Sequence, residues 1–181
     1  MTRFIEEKLF LKVNRSKSQT AYIRKVKFLG YSFYERKGEG RLRVHQKSVT
    51  KMKARIKELT SRNNGWGNER RKEALRQYIT GWVNYFKLAD MNKLLRDLDE
   101  WYRRRLRMVI WKQWKRIRTR MRNLIKLGVV KPKAYVWANT RKSYWHTANS
   151  FILKTTITTE NLRRAGYVML LDHYRKVSVQ T

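Results

Sequence analysis

Leu94-Leu95-Arg96-Asp97-Leu98-Asp99-Glu100-Trp101-Tyr102-Arg103-Arg104-Arg105-Leu106-Arg107-Met108-Val109-Ile110 decides the fold of this chain. Leu94, Leu95, Leu98, Trp101, Tyr102, Leu106, Val109 and Ile110 recur at the i, i+3, i+4 spacing of a helix that buries one face. Asp90 is placed to cap it, and the basic run beyond Ile110 continues it. Upstream, Leu75, Tyr78, Ile79, Trp82, Val83 and Phe86 form a second stripe of the same period. A third follows Ser48, a plausible N-cap, with Val49, Met52, Ile56 and Leu59 on one face. Asn63-Asn64-Gly65-Trp66-Gly67-Asn68 reads as the loop between those two. Three helices on short connections predict a bundle over residues 48–128.

The flanks differ. Gly128 and the single proline, Pro132, mark a boundary. Past it lie short aromatic-rich pieces, Ala134–Ala138, Arg141–Asn149, Thr159–Ala165 and Met169–Tyr174, each too short to be stable alone. They predict a small helical subdomain, residues 129–181, leaning on the bundle. Residues 1–47 carry a short helix over 3–13, broken by Asn14-Arg15-Ser16-Lys17-Ser18. The aromatic and β-branched run Val26-Lys27-Phe28-Leu29-Gly30-Tyr31-Ser32-Phe33-Tyr34 favours a strand. Gly38-Glu39-Gly40 reads as a hairpin turn and Arg41-Leu42-Arg43-Val44-His45 as the return strand. The expected fold is mainly α with a small N-terminal β-hairpin.

Charge points to the partner. The formal net charge is +32 over 181 residues, and no carboxylate occurs between Glu100 and Glu160. A surface so unbalanced repels itself unless a polyanion neutralises it, and displacing counterions from phosphates gives sequence-independent affinity. With 7 Trp and 10 Tyr the chain is not a disordered basic tail, since such tails lack aromatics. It has 0 Cys and 3 scattered His, which excludes a disulfide framework and a thiolate metal site and leaves no zinc site to propose. Glu6, Glu7 and Lys8 interrupt the apolar N-terminus, so no signal-peptide core forms. No apolar run approaches the roughly 18–20 residues of a membrane span. A basic helix lying on an anionic bilayer is disfavoured, because the charges surround the Trp-rich helix and leave no clean apolar face.

The order of several blocks brings a family into view. Lys12-Val13-Asn14-Arg15-Ser16-Lys17-Ser18 followed by Phe28-Leu29-Gly30-Tyr31 resembles the end of the palm of group II intron-encoded reverse transcriptases. Arg107-Met108-Val109-Ile110-Trp111-Lys112-Gln113-Trp114-Lys115 resembles the start of the same family's maturase-specific region. Trp137-Ala138-Asn139-Thr140-Arg141-Lys142-Ser143-Tyr144-Trp145 and Leu162-Arg163-Arg164-Ala165-Gly166-Tyr167 are similar to its C-terminal signature. The resemblance implies a palm-end remnant (1–47), a thumb-like bundle (48–128) and a maturase-specific subdomain (129–181). It makes Phe28, Leu29, Gly30 and Tyr31 a primer-grip-like strand, although a plain buried strand explains the same residues. It sets Lys17 near nucleotide phosphates; an ordinary solvated lysine is the alternative.

Candidate RNA contacts are Arg103, Arg104, Arg107, Lys112, Lys115, Arg116, Arg118, Arg120 and Arg122, too numerous for one helix face. Guanidinium forks suit phosphate and stack on bases. Arg141, Lys142 and Tyr144, beside Trp145, form a second basic-aromatic cluster. For Trp101, Tyr102, Trp111 and Trp114, core packing is favoured over base stacking.

The family's polymerase holds two metals on paired aspartates, and no Tyr-x-Asp-Asp turn exists here. Asp97, Asp99 and Glu100 sit inside a helix, where ion pairs to Arg103 and Arg104 explain them better than a metal site. The chain alone is therefore expected not to be an enzyme, with no catalytic residue and no cofactor; Mg2+ enters only if a catalytic palm completes it. Fingers and most of the palm would precede residue 1, and no Cys/His-rich nuclease appendix follows. The expected role is an RNA-binding maturase module for structured RNA, group II intron RNA in particular, in the cytoplasm of a bacterial-type cell. The alternatives are a polymerase part acting on RNA/DNA primer-template with a companion reverse transcriptase fragment, a generic DNA-binding protein, or a remnant without function.

Overall fold

The computed structural model of the chain describes residues 2–10, 12–14, 21–23 and 26–178. Lys17 lies outside the described residues. In chain order come α1 (Thr2–Lys8), β1 (Lys27–Phe28), β2 (Tyr31–Arg36), β3 (Glu39–Val44), α2 (Gln46–Leu59), α3 (Asn68–Tyr85) and α4 (Asn92–Gln113). They are followed by α5 (Ile117–Lys126), α6 (Lys131–Ala138), α7 (Tyr144–Thr147), α8 (Phe151–Thr156), α9 (Thr159–Arg164) and α10 (Leu170–Ser178). The fold is mainly α with a small antiparallel sheet, as the periodicity leads one to expect.

The three stripes fold as read. Val49, Met52, Ile56 and Leu59 of α2 meet Leu75, Ile79 and Val83 of α3 and Leu95, Leu98, Tyr102 and Leu106 of α4 in one buried cluster. Trp111 is also buried there, and its ring makes an edge-on contact with the half-buried Trp114 at 5.9 Å between centroids. Ala134, Leu153, Leu162, Met169 and Leu170 enter the same cluster, so the chain beyond Gly128 packs onto the bundle instead of enclosing a core of its own. α10 covers α3 and α4, α7 lies on α4, and α6 packs on α5.

Several local expectations are corrected. The long third helix breaks at Trp114-Lys115-Arg116, without glycine or proline. Arg120 explains the break. Its Nε donates to the Trp114 carbonyl at 3.0 Å, satisfying an acceptor that a helix end leaves open, and its guanidinium lies 4.5 Å from the centroid of the Trp111 ring. The N-cap of α2 is His45, whose Nδ1 accepts from the Lys47 N–H, while Ser48 Oγ donates to the Gly30 carbonyl. Met91, not Asp90, precedes α4; the Asp90 carboxylate accepts from the Tyr34 hydroxyl and pairs with Arg41. The hairpin turns at Lys37-Gly38, both at positive φ, so of the expected Gly38-Glu39-Gly40 only Gly38 lies in the turn and the other two open β3. Phe151–Thr156, not among the short pieces named from sequence, is also a helix.

Phe28-Leu29-Gly30-Tyr31 is not one strand either. Leu29 and Gly30 form a tight turn at φ 48° and 84° between β1 and β2. Gly30 is required there: a Cβ would lie 2.9 Å from Ser48 Oγ and 3.1 Å from the Phe86 ring. The sheet is fastened to the bundle through His45 N–H to the Gly30 carbonyl and Asp90 N–H to the Leu42 carbonyl, each 2.9 Å. At the other boundary, α5 closes with Gly128 at φ 90°, its N–H on the Ile125 carbonyl and that of Val129 on Leu124, a Schellman close.

Candidate nucleic-acid interface

The cations proposed from sequence separate into two groups once their partners are known. Arg107 is 7 % exposed and its Nε donates to the Ile157 carbonyl at 2.9 Å, tying α4 to the end of α8. Burial, and then the Arg103 charge, hold its pKa below the usual arginine value. Arg120 belongs to the α4–α5 junction described above. Arg104 donates through Nε and Nη2 to the Trp145 carbonyl, and its guanidinium lies 3.8 Å from the centroid of that residue's indole. Stacked and bidentate, it anchors the α7 segment on α4. These three arginines are structural fasteners first.

Lys115, Arg116, Arg118 and Arg122 are exposed around the α4–α5 bend and along α5. Arg141 and Lys142 are exposed in the turn before α7; Tyr144 is half-buried, with Arg62 over its ring at 5.5 Å. Arg103 is half-buried on α4. The Asp97-Asp99-Glu100 set is not the ion-pair group expected. Asp99 is buried, and its carboxylate accepts from the N–H groups of Leu170 at 2.9 Å and Leu171 at 3.0 Å, capping α10 from 71 residues away. Burial raises its pKa despite those two bonds.

Sequence reasoning found the loop between α2 and α3 but overlooked the arginines that hold it. Arg105 donates to the carbonyls of Lys57 and Thr60 and to Thr60 Oγ1, all within 3.0 Å. Burial and the neighbouring Arg62 lower its pKa. Lys112 Nζ reaches the Arg62 carbonyl at 2.6 Å and Asn63 Oδ1 at 3.0 Å. Arg71, 3 % exposed, donates through Nη2 to Asn64 Oδ1 and the Trp66 carbonyl. The Asn-Gly-Trp-Gly composition announces a loop; nothing in it announces that cations from two helices fix its shape.

Two clefts result, meeting at Arg62. One, of about 320 Å3, is walled by Lys57, Ser61, Asn63, Arg105, Met108 and Trp145 besides Arg62. The other, of about 290 Å3, is walled by Asn64, Trp66, Arg71, Lys112, Gln113 and Lys115 among others. Neither wall contains a carboxylate. Among the described residues, no carboxylate lies within ion-pair distance of Arg62, Arg105, Lys112 or Lys115. Fixed, unneutralised cations around a concave surface attract polyanions.

The primer-grip-like residues lie apart, against the C-terminal end of α3. Phe28 and Leu29 are 62 % and 65 % exposed at the turn. The Tyr31 hydroxyl donates to the Tyr85 carbonyl and its ring packs on Phe86 at 5.1 Å, while the Tyr85 hydroxyl donates back to the Leu29 carbonyl. Among the described residues no group of three or more His, Asp or Glu could hold a metal, and no helix is long and apolar enough to cross a membrane.

A comparison with curated proteins gives no match. Residues 49–128 match the family model described as "Group II intron, maturase-specific domain". The match runs from the first turn of α2 to the glycine closing α5, and supplies both clefts except for Trp145. Residues 49–128 of this chain are thus similar to a group II intron maturase-specific domain.

Proposed function

We propose that the chain is an RNA-binding module that grips group II intron RNA and assists its folding for splicing. The observation that carries this reading is the coincidence of the maturase-specific match with the carboxylate-free, cation-walled clefts between α2, α3 and α4. Binding to the compact form of an RNA favours that form by mass action, so no catalytic side chain is required. Phosphates and 2′-hydroxyls of A-form segments meet exposed Arg116, Arg118 and Arg122, and Arg141 and Lys142 extend the contact beyond the bundle. The test is affinity for a structured intron RNA as a function of salt. The logarithm of the binding constant should fall steeply and linearly with that of salt concentration. A flat response, or a preference for duplex DNA at equal salt, defeats the reading.

A second reading has its own observation. Phe28 and Leu29 project from a turn that is fastened to the bundle, a placement suited to holding a primer end when a separate fingers–palm fragment supplies the aspartates and their Mg2+. Primer extension by the chain mixed with such a fragment tests it; synthesis no faster than that of the fragment alone rejects it.

A further inference from the structure

A large apolar side chain standing singly in solvent needs no explanation, but a contiguous group of them marks a contact surface. Such a group lies on α6 and α8. Phe151, at the start of α8, is 69 % exposed, and Val136 on α6 is 66 % exposed. Trp137, next to Val136, is half-buried against the core, and its indole meets the Phe151 ring edge-on, with centroids 6.3 Å apart and planes at 88°. The core thus fixes one ring of the pair while the other stands largely in water.

Cations frame this pair. Lys133 Nζ lies 5.2 Å from the centroid of the Trp137 ring, one turn earlier on α6. Lys154 follows Phe151 by three residues on α8, the spacing of neighbours on a helix surface. Both lysines are exposed. Among the described residues, no carboxylate lies within ion-pair distance of either.

That combination selects the occupant. A second copy would bring the same lysines to the same place, on a chain that already carries a net charge of +32. A polyanion is attracted instead, and flat apolar faces are what two rings can stack against. Nucleobases have such faces, but a duplex hides them within its own stack, so only unpaired segments offer them.

We propose that Phe151 and Trp137 form a stacking platform for an unpaired nucleobase of RNA, with the adjoining phosphates on Lys133 and Lys154. The proposal rests on the RNA-binding reading above and adds to it the kind of strand that is held. It also adds a place, since none of these four residues lines either cleft.

Fluorescence anisotropy at fixed dilute salt tests it, using the full chain with a continuous RNA stem and with the same stem carrying a short single-stranded overhang. The overhang should tighten binding about tenfold, the worth of one stacked base, whether it is built of A, C, G or U, because every base has a π-face. Phe151→Leu keeps an apolar side chain and removes the ring. The ratio of the two affinities should then fall close to one, and Phe151→Trp should restore it. Arg118→Ala combined with Arg122→Ala, on α5, should weaken both RNAs and preserve the ratio. A wild-type ratio near one, or a ratio that Phe151→Leu does not change, overturns the platform while leaving the basic surface as an RNA binder. Failure to bind either RNA overturns both. Sedimentation without RNA checks the competing occupant: a dimer that Phe151→Leu converts to a monomer overturns the proposal in favour of a second copy. Thermal melts of the variants should match the wild type, so that a changed ratio reports on binding and not on folding.

Discussion

Asp99 shows how one side chain can stabilise and strain the same junction. Its two hydrogen bonds satisfy the opening N–H groups of α10, where replacement by alanine should cost about 1–2 kcal/mol, as at other N-caps. Yet burial raises its pKa, with the nearby Asp172 charge acting the same way and Arg103 opposing. A carboxyl that binds its proton more tightly when folded loses stability as pH rises from its unfolded pKa through its folded one. Wild-type stability measured in urea should therefore fall relative to Asp99→Asn as pH rises above the ordinary carboxylate range. A difference between the two proteins that does not change with pH contradicts this. No reading of the sequence could find the cap, because the partner N–H groups lie 71 residues downstream and the local pattern offers Arg103 and Arg104 instead.

At the scale of elements, apolar periodicity was legible and cation placement was not. Val49-Met52-Ile56, Leu75-Ile79-Val83 and Leu95-Leu98-Tyr102-Leu106 fall on buried faces because a helix repeats every three to four residues. Arginine carries no comparable sign of direction, since its long stem can turn its head toward solvent or toward a carbonyl. Hence Arg107 and Arg120 are indistinguishable in sequence from Arg116 and Arg118, yet the first two hold α8 and the α4–α5 bend. Arg107→Ala should lower stability by about 2 kcal/mol through loss of a buried charged hydrogen bond. It should leave the salt slope of RNA binding unaltered. Replacing Arg116, Arg118 and Arg122 with alanine should do the reverse: near-native stability, and a slope shallower by about one for each phosphate no longer neutralised. Urea melts and salt titrations on the same variants read both quantities. The bend after Gln113 and the short α8 were illegible for a related reason: neither is bounded by glycine or proline, and tertiary contacts such as that of Arg120 at the bend set them.

Across the whole molecule, one buried cluster joins α2–α4 to the chain beyond Gly128, while the sheet adds Val44 to it and is held at a few points against the start of α2 and the α3–α4 connection. Protection from proteases should follow that arrangement, with cleavage first in the segment before Val26, where Phe10 and Tyr22 are exposed. The hairpin and everything after it should persist; early cuts between β2 and α2 speak against the fastening through Gly30 and Asp90. The same arrangement separates the charge total from its distribution. Arg71, Arg104, Arg105 and Arg120 clasp carbonyls or indole faces with planar forks, which an ammonium cannot reproduce. A chain recoded with lysine at those four positions would keep the same net charge and still come apart at its seams, so the genetic preference between two equally cationic residues is here a matter of joinery.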